Sequence, residues 1–480
     1  MLSPVVRKVF LLLSCTFLGL ICGTLYLYSS YSPQFAMQLK YSVSNSSSIA
    51  LCGTIGVAFA GPLAGIVVDK KGYTISLIIG GLSICTGYLG MKQQYDMIYS
   101  SVTLSGFFLL LIGAGSTFIN SACLKCCAVS FPSIRGVATS LPLALYGLSA
   151  LFYSVIASIF FPGDTSKFLG FISYSSVGIF IICAPSIMVC DYEKARRPRT
   201  SVDGRVTKHA KIETKTSESN LSGLDLMKSH KFWLLFIITG ALASLGQMYI
   251  YSVGYMVKAL ITYRIVGGNE SLNPSTDEIE VLIQKDQQIQ VGLISVANCV
   301  GRILSGILGD IFSQSFNKPR SMLLFIPSVG LAITQLLGEK ITDFNNLPIN
   351  SLLTGLFYGF TFCIMPIIIG DTFGMENFSF NWGIVSLAPV VPSFYFTSLF
   401  GTIYDSNSQK DDVTNRMICL MGNGCYNTIF SITFFISAFS VFIVWVLNFG
   451  SIFRHLTKLR SVEKPLPLVE DVIPLSEKRS

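Results

Sequence analysis

The sequence predicts an all-α integral membrane protein with twelve transmembrane helices in two pseudo-symmetric six-helix halves. Three observations lead to this prediction. Only 12% of the 480 residues are charged, whereas soluble proteins carry about 25%. The mean hydropathy is +0.60, and twelve apolar runs have a length that can cross a bilayer. A polar, basic stretch at residues 190–231 separates the first six runs from the last six.

The central stretch also predicts how the chain is divided. It holds ten Lys/Arg and six Asp/Glu without an apolar period, and such a composition buries too little apolar surface to fold by itself. We therefore expect a cytosolic basic linker at 190–231, between an N-terminal half at 1–189 and a C-terminal half at 232–450. The Pro-containing residues 451–480 are expected to form a disordered cytosolic tail.

Each apolar run is interpreted as one membrane span. The first run is too long for the apolar core of a typical signal peptide, so we retain it as a helix. The ninth run is the shortest. The predicted spans cover residues 9–28, 48–68, 73–91, 102–124, 137–160, 168–189, 232–257, 291–312, 322–337, 352–373, 383–404 and 428–448.

The net charge of +8 is distributed by side of the membrane and does not indicate a nucleic-acid partner. With the N-terminus inside, the inside segments hold 24 of the 34 Lys/Arg and the outside loops hold nine. This asymmetry predicts that both termini are cytosolic. The alternative is that these are solvated charges without topological meaning.

Two features of the predicted outside loops concern covalent modification. Cys419 and Cys425 bracket a short loop on a side that could be oxidising, so they form either a disulfide or two free thiols. Asn269-Glu270-Ser271 is a glycosylation sequon on the side where glycans are added. The sequons at Asn220 and Asn377 would lie inside and stay bare.

Arg302 is the one charged residue predicted to lie well inside an apolar run. A buried arginine costs about 3 kcal/mol even on insertion scales, so it faces either a partner or a water-filled cavity. It is therefore a candidate ligand for an anion, with a purely structural role as the alternative. Lys125, near the cytosolic end of the fourth run, either snorkels to the interface or lines a cavity.

The two halves repeat each other at matching helices. When their second and fifth spans are aligned, a glycine and an aspartate four residues later coincide, and so do two glycines that each precede a proline by six residues. These matches predict two parallel repeats related by an axis along the membrane normal. The aligned residues are Gly65 and Asp69 with Gly306 and Asp310, and Gly136 with Gly383.

The second span ends in a cluster of a carboxylate, two lysines and a turn glycine. The pattern Gly65-xxx-Asp69-Lys70-x-Gly72 resembles the signature loop of the major facilitator superfamily, where the aspartate is thought to latch one conformation by pairing with a neighbouring helix. This resemblance implies a gating role for Gly65, Asp69, Lys70 and Gly72, and for Asp310 in the second repeat. The alternative is a solvated loop with ordinary cytosolic lysines.

A wider set of motifs is similar to the nodulin-like branch of that superfamily and to its fungal monocarboxylate-transporter homologues. The motifs are Phe131-Pro132-xx-Arg135-Gly136, Gly301-Arg302-xxx-Gly306-xxx-Asp310, Asp371-xx-Gly374, Phe400-Gly401-xxx-Asp405 and Cys419…Cys425-Tyr426.

The resemblance implies the major facilitator fold, alternating access, and a cavity lined mainly by helices one, four, seven and ten. In related monocarboxylate transporters an arginine in helix eight binds the substrate carboxylate, and an aspartate one turn earlier handles the proton. Arg302 matches the arginine, but Asn298 stands at the aspartate position and cannot titrate. The fungal homologues also suggest a vacuolar membrane, with another endomembrane or the plasma membrane as alternatives.

We expect a secondary-active or facilitative transporter of a small polar or anionic metabolite, and we expect it to be monomeric. An enzyme is disfavoured because the three histidines lie in predicted cytosolic segments, and neither a metal nor a cofactor is expected. A non-transporting nutrient sensor on the same fold remains an alternative. The expected cavity-lining residues are Tyr26, Asn120, Lys125, Gln247, Arg302 and Tyr358. For the two tyrosines and Gln247, packing between helices is the alternative role.

Overall fold

The computed structural model describes residues 3–41, 43–161, 164–196, 221, 223–267, 276–410 and 417–462. These residues contain twelve helical segments that are long and apolar enough to cross a membrane, six before residues 197–220 and six after them. The predicted all-α architecture is therefore confirmed, and the chain is a multi-pass membrane protein. Three predicted features lie outside the described residues: Asn269, most of the linker, and the end of the tail. The prediction of a disordered tail is wrong for residues 451–462, because the last helix continues through them beyond the apolar run.

The first half contains seven helices, of which α2 is too short to span. They are α1 (Pro4–Cys22), α2 (Tyr28–Gln38), α3 (Val43–Lys71), α4 (Tyr73–Asp96), α5 (Val102–Ser130), α6 (Arg135–Phe160) and α7 (Thr165–Arg196). The second half contains eight. They are α8 (Leu224–Met227), α9 (His230–Gly267), α10 (Thr276–Gln314), α11 (Phe325–Lys340), α12 (Leu347–Phe373), α13 (Phe378–Val385), α14 (Val390–Ser406) and α15 (Asn427–Val462).

Two spans are interrupted. The first span continues past α1 as a 3₁₀ turn at Gly23–Leu27. The eleventh span consists of α13 and α14, which are separated just before Pro389. A proline removes a backbone donor and disrupts the preceding turn, which accounts for the second break. These interruptions were not predicted.

Several helices are longer than the apolar runs that predicted them. α10 begins at Thr276, although the apolar run begins at residue 291, so part of the predicted outside loop is helical. The ninth span gains a 3₁₀ turn at Arg320–Leu324 and reaches Lys340. A helix does not need an apolar sequence where it leaves the bilayer, and hydropathy therefore underestimates its length.

The one β-sheet in the described residues is a short antiparallel ladder between β1 (Gln409–Lys410) and β2 (Met417–Ile418). It precedes a 3₁₀ turn at Gly422–Cys425 that leads into α15.

The outward-facing surface of the helices is apolar. On α15, Phe435, Phe439 and Phe442 are all exposed and lie at helical spacing on one side. A stripe of this kind is stable in contact with lipid tails and would be costly in water.

The two halves meet through matching pairs of spans. α3 packs on α13, which joins the second span to the eleventh, and α6 packs on α10, which joins the fifth to the eighth. The predicted repeat therefore has a structural counterpart, because the helices that carry the aligned glycines are the ones that pack across the seam.

Candidate functional site

The hydrogen bonds between the halves are concentrated at one end of the bundle, which we call the linker face. It is defined by Asp69 at the end of α3, Asp310 near the end of α10, and the starts of α6 and α13. The sequence predicts that this face is cytosolic.

Asp69 crosses the seam at the linker face. Its carboxylate accepts hydrogen bonds from the backbone N–H groups of Phe380 at 2.8 Å and Ser379 at 3.3 Å, at the first turn of α13. Lys125 donates to the same carboxylate at 2.5 Å and to the backbone carbonyl of Glu376 at 2.8 Å. A carboxylate at a helix N-terminus satisfies free backbone donors and interacts favourably with the helix dipole.

Gly65 explains how α3 can reach α13. A Cβ atom at this position would lie 2.5 Å from the Cα of Phe380 and from the carbonyl oxygen of Ser379. Gly72 has a different role, because its φ of +89° suits glycine and a Cβ there would meet the carboxylate of Asp191. The glycines of this motif therefore permit close packing and a turn.

Asp310 forms the equivalent contact in the second repeat. It accepts hydrogen bonds of 2.8 Å from the backbone N–H groups of Gly136 and Val137, at the first turn of α6. A Cβ on Gly306 would lie 2.5 Å from the carbonyl oxygen of Gly136. In each aligned Gly–Asp pair, the glycine permits close approach to a helix of the other half and the aspartate caps the start of that helix.

Three further charged residues reinforce the second contact. Arg320 donates to Asp310 at 3.1 Å and to Asp371 at 2.5 Å. Arg135 donates to the other oxygen of Asp371 at 2.9 Å, which again joins the two halves. Sequence reasoning assigned no role to these three. Their positions at the ends of neighbouring spans were the available signal.

The position of Lys125 corrects its prediction. It neither snorkels nor joins the central residues, because its side chain is only 5% exposed and is held by Asp69 at the linker face. A buried cation needs a partner, and the nearest carboxylate belongs to the second span. Lys70 remains exposed at the end of α3, as a solvated lysine would.

Arg302 lies at the seam in the middle of the bundle and is 5% exposed. Its Nε donates to Asn298 at 2.7 Å, and its Nη1 donates across the seam to the carbonyl oxygen of Leu143 at 2.6 Å. Its guanidinium carbon lies 5.5 Å from the ring centre of Tyr146 on α6. Among the described residues, no hydrogen bond is formed by its Nη2, and that atom is not fully enclosed.

Tyr26 lies in the 3₁₀ turn of the first span. A Cβ on Gly23 would lie 2.1 Å from the carbonyl oxygen of Tyr146, so this glycine lets the turn pack on α6. The rings of Tyr26 and Tyr146 meet edge to face with centres 6.0 Å apart. Tyr26 is 45% exposed, although its ring packs on Tyr146 and it lies near Arg302.

Tyr358 on α12 and Gln247 on α9 belong to the C-terminal half, whereas Tyr26 and Tyr146 belong to the N-terminal half. Tyr358 is close enough to Tyr26, Tyr251 and Arg302 to interact electrostatically with each of them, and it contacts Gln247. Gln247 also accepts a hydrogen bond from Ser393 on α14. Of the predicted lining residues, the structure brings together Tyr26, Arg302, Tyr358 and Gln247.

Asn120 is not connected to this group by a hydrogen bond. It is partly buried on α5, and its Oδ1 has no hydrogen-bond partner among the described residues.

Two central residues were not predicted as lining residues. Tyr146 lies against Arg302, and Tyr251 lies near Tyr26 and contacts Thr54 on α3. Both lie in apolar runs, where a tyrosine can equally be a packing residue. Only the rotation of the helix about its axis decides whether such a side chain faces the site or a neighbouring helix. The described residues contain no group of His, Cys, Asp and Glu that could hold a metal ion.

Of the two alternatives for Cys419 and Cys425, the structure contains the disulfide, at the opposite end of the bundle. Cys419 and Cys425 form a disulfide, and both residues are buried between the ladder and α15.

Comparison with known proteins agrees with this architecture. The Nodulin-like family matches residues 8–208. An uncharacterized membrane protein of Saccharomyces cerevisiae is 27% identical over an alignment that covers 91% of this chain and 93% of that protein. A Wickerhamomyces anomalus protein named "Probable transporter MCH1" is 26% identical and is covered over 78% of its length, with 82% of this chain aligned.

Solved structures show the same fold at low identity. The major facilitator superfamily transporter FucP in the outward conformation has a TM-score of 0.57 at 15% identity, with 90% of this chain and 97% of FucP covered. The proton:xylose symporter XylE has a TM-score of 0.58 at 14% identity, with coverages of 92% and 95%.

The chain therefore has the major facilitator fold, which is a transporter fold. Its resemblance to the nodulin-like branch of that superfamily is confirmed by the family match and by the relatives named above.

Proposed function

We propose that the protein carries a small polar or anionic metabolite, such as a monocarboxylate, across a membrane by alternating access. The observation that carries this proposal is the position of Arg302. It is a buried cation on the seam between the halves, with one terminal nitrogen available to a ligand. In transporters built from repeats, substrates bind near the midplane at the repeat interface.

The contacts at the linker face support an assignment of the conformation. Asp69 and Asp310 hold the halves together at that face, whereas Tyr26 and Tyr251 remain 45% and 50% exposed in the interior. This arrangement corresponds to a site that is closed toward the cytosol and accessible from the other side.

Facilitated transport fits the site better than proton coupling. In the described spans every Asp and Glu lies within four residues of a span end. Asn298, one turn before Arg302, accepts a hydrogen bond from it but cannot exchange a proton in the physiological range. A proton-coupled mechanism would require a titratable group elsewhere.

We further propose that both termini are cytosolic, that the chain acts as a monomer, and that it resides in a vacuolar membrane. The first rests on the asymmetry of Lys and Arg. The last rests on the resemblance to fungal monocarboxylate-transporter homologues alone.

The test is ligand binding by the purified protein beside Arg302→Gln. A ligand that binds only the folded state, at 100 times its dissociation constant, adds about 2.7 kcal/mol to the free energy of unfolding. We expect carboxylates to raise the melting temperature of the wild type but not of the variant, with sugars and cations inert. If the variant melts early and no anion stabilises either protein, Arg302 is structural and the anion assignment is wrong.

A further inference from the structure

The central site has a composition that narrows the class of substrate. This inference rests on the proposed function and concerns the same site. Three tyrosines from three spans lie near one arginine, namely Tyr26, Tyr146 and Tyr358, and a fourth, Tyr251, lies near Tyr26 and Tyr358. We infer that the preferred substrate is a monocarboxylate that bears a flat ring.

The charge of the substrate follows from what surrounds Arg302. One partly unpaired cation can hold one carboxylate, through charge-assisted hydrogen bonds from the Nη2 that forms none within the protein. A second carboxylate would have no cation to pair with in the described mid-membrane residues. The ammonium group of an amino acid would equally lack a carboxylate. An unpaired charge is costly in a desolvated site, so the site selects a monoanion.

The ring follows from the exposed aromatic surface. Tyr26 and Tyr251 come from opposite halves, lie near each other, and are about half exposed although they are deep in the protein. Aromatic residues normally pair with other rings when they are buried. Tyr26 already packs edge to face on Tyr146, and the surface that both tyrosines still expose is where a ring attached to a bound carboxylate would make further contact.

Tyr255 provides a matched control. It lies one turn after Tyr251 on α9 and is also exposed, at 56%. Its ring instead packs near Tyr404, with centres 5.5 Å apart, and near Phe400 at 6.5 Å. A general effect of removing an exposed tyrosine from α9 would therefore appear in Tyr255→Leu as well.

The experiment measures dissociation constants by thermal-shift titration with four probes. Benzoate has the ring and the charge, cyclohexanecarboxylate keeps the size and charge without aromaticity, benzamide keeps the ring without charge, and phthalate adds a second carboxylate. We expect benzoate to bind about fivefold tighter than cyclohexanecarboxylate, since one or two ring contacts are worth that much. Benzamide and phthalate should bind at least about tenfold more weakly, because each breaks the charge match.

The variants assign the preference to residues. The advantage of benzoate should disappear in Tyr26→Leu and Tyr251→Leu and remain in Tyr26→Phe and Tyr255→Leu. If benzoate and cyclohexanecarboxylate bind equally, and Arg302→Gln abolishes the binding of each, the proposed function stands and this inference is wrong. If benzamide binds as well as benzoate, or if no probe binds, the inference is also wrong, and the carboxylate panel described for the proposed function then decides separately whether the anion assignment stands.

Discussion

The carboxylate of Asp69, at the end of the second span, accepts a hydrogen bond of 2.8 Å from the backbone N–H of Phe380 at the start of the eleventh. The bond joins residues 311 positions apart and crosses from one half to the other. Asp310 does the same to Gly136, so the repeat places one aspartate on each side of the seam. These two caps are the structural basis for the closed linker face.

Removing the first cap should open the linker face. Asp69→Asn retains the size of the side chain but leaves Lys125 buried without its ion pair, which is strongly destabilising for that contact. Ser140 is fully buried and lies against Gly306 at the seam, so a Ser140→Cys reporter should react when the face opens. We expect its alkylation rate to rise about tenfold or more in Asp69→Asn.

Asp96→Asn is the matched control for that experiment. Asp96 pairs with Lys92 within one helix, and both side chains are partly exposed. Such a pair contributes about 0.5 kcal/mol or less, so the reporter should be unaffected. Equal reporter rates in Asp69→Asn and Asp96→Asn would show that Asp69 does not hold the face closed.

A single methyl group added at Gly65 should weaken the contact between α3 and α13. In Gly65→Ala the new Cβ would lie 2.5 Å from backbone atoms of α13, and overpacking of this kind costs about 1–3 kcal/mol. In Gly401→Ala nothing lies within 4 Å of the new Cβ, so the melting temperature should hold or rise. The measurement is the melting temperature of both variants. An unchanged melting temperature in Gly65→Ala would contradict the close approach of α3 to α13 at Gly65.

The disulfide can be counted chemically. Thirteen cysteines are present, and eleven are free in the structure. Alkylation in denaturant should therefore add eleven groups before reduction and thirteen after it, as read by intact mass. Cys419→Ser should lower the free energy of unfolding by about 2 kcal/mol, the loop-closure value for a ring this short. Thirteen groups before reduction would mean that the pair is open in the purified protein.

The orientation prediction is tested at Asn269, which lies outside the described residues. If the loop that contains it faces a lumen or the exterior, the protein should carry one glycan that is removed by Asn269→Gln. Asn377, the residue preceding α13 at the linker face, should remain unmodified. A glycan on Asn377 would invert the proposed topology.

The fold was predictable because a membrane span needs a long apolar run, and twelve such runs are visible in the sequence. The contacts at the linker face were partly predictable, since the pair Gly65 and Asp69 is repeated with the same spacing as Gly306 and Asp310. Hydropathy gives no information on interruptions, so the 3₁₀ turn at Gly23–Leu27 was missed although it positions Tyr26.

Side-chain direction was the main limit at the site. The sequence places Lys125 near the end of the fourth span, but only the packing of α3 on α5 decides that it meets Asp69. Likewise, Tyr146 and Tyr251 become site residues because of the rotation of their helices. Arg302 was identifiable because a charge within a span is rare and requires an explanation.

Alternating access is tested most directly by locking the seam and measuring flux. Gly61 and Ser386 face each other across α3 and the end of α13, with a Cβ on Gly61 only 3.0 Å from the Ser386 Oγ. The Gly61→Cys, Ser386→Cys double variant should therefore cross-link on oxidation and hold α3 against α13 about two helical turns inward from the linker face, which keeps the halves closed on that side. Uptake of the stabilising carboxylate into proteoliposomes is measured before and after reduction, with the parent chain and both single variants carried through the same cycle.

The proposed mechanism predicts that oxidation lowers the flux of the double variant about tenfold or more and that reduction restores it. The flux of the controls should not change. The reason is that a cross-linked seam prevents the exchange of conformations on which transport depends. If the fully cross-linked protein transports as fast as the reduced protein, the halves do not separate at this face during transport. That result would contradict the alternating-access mechanism proposed for this protein.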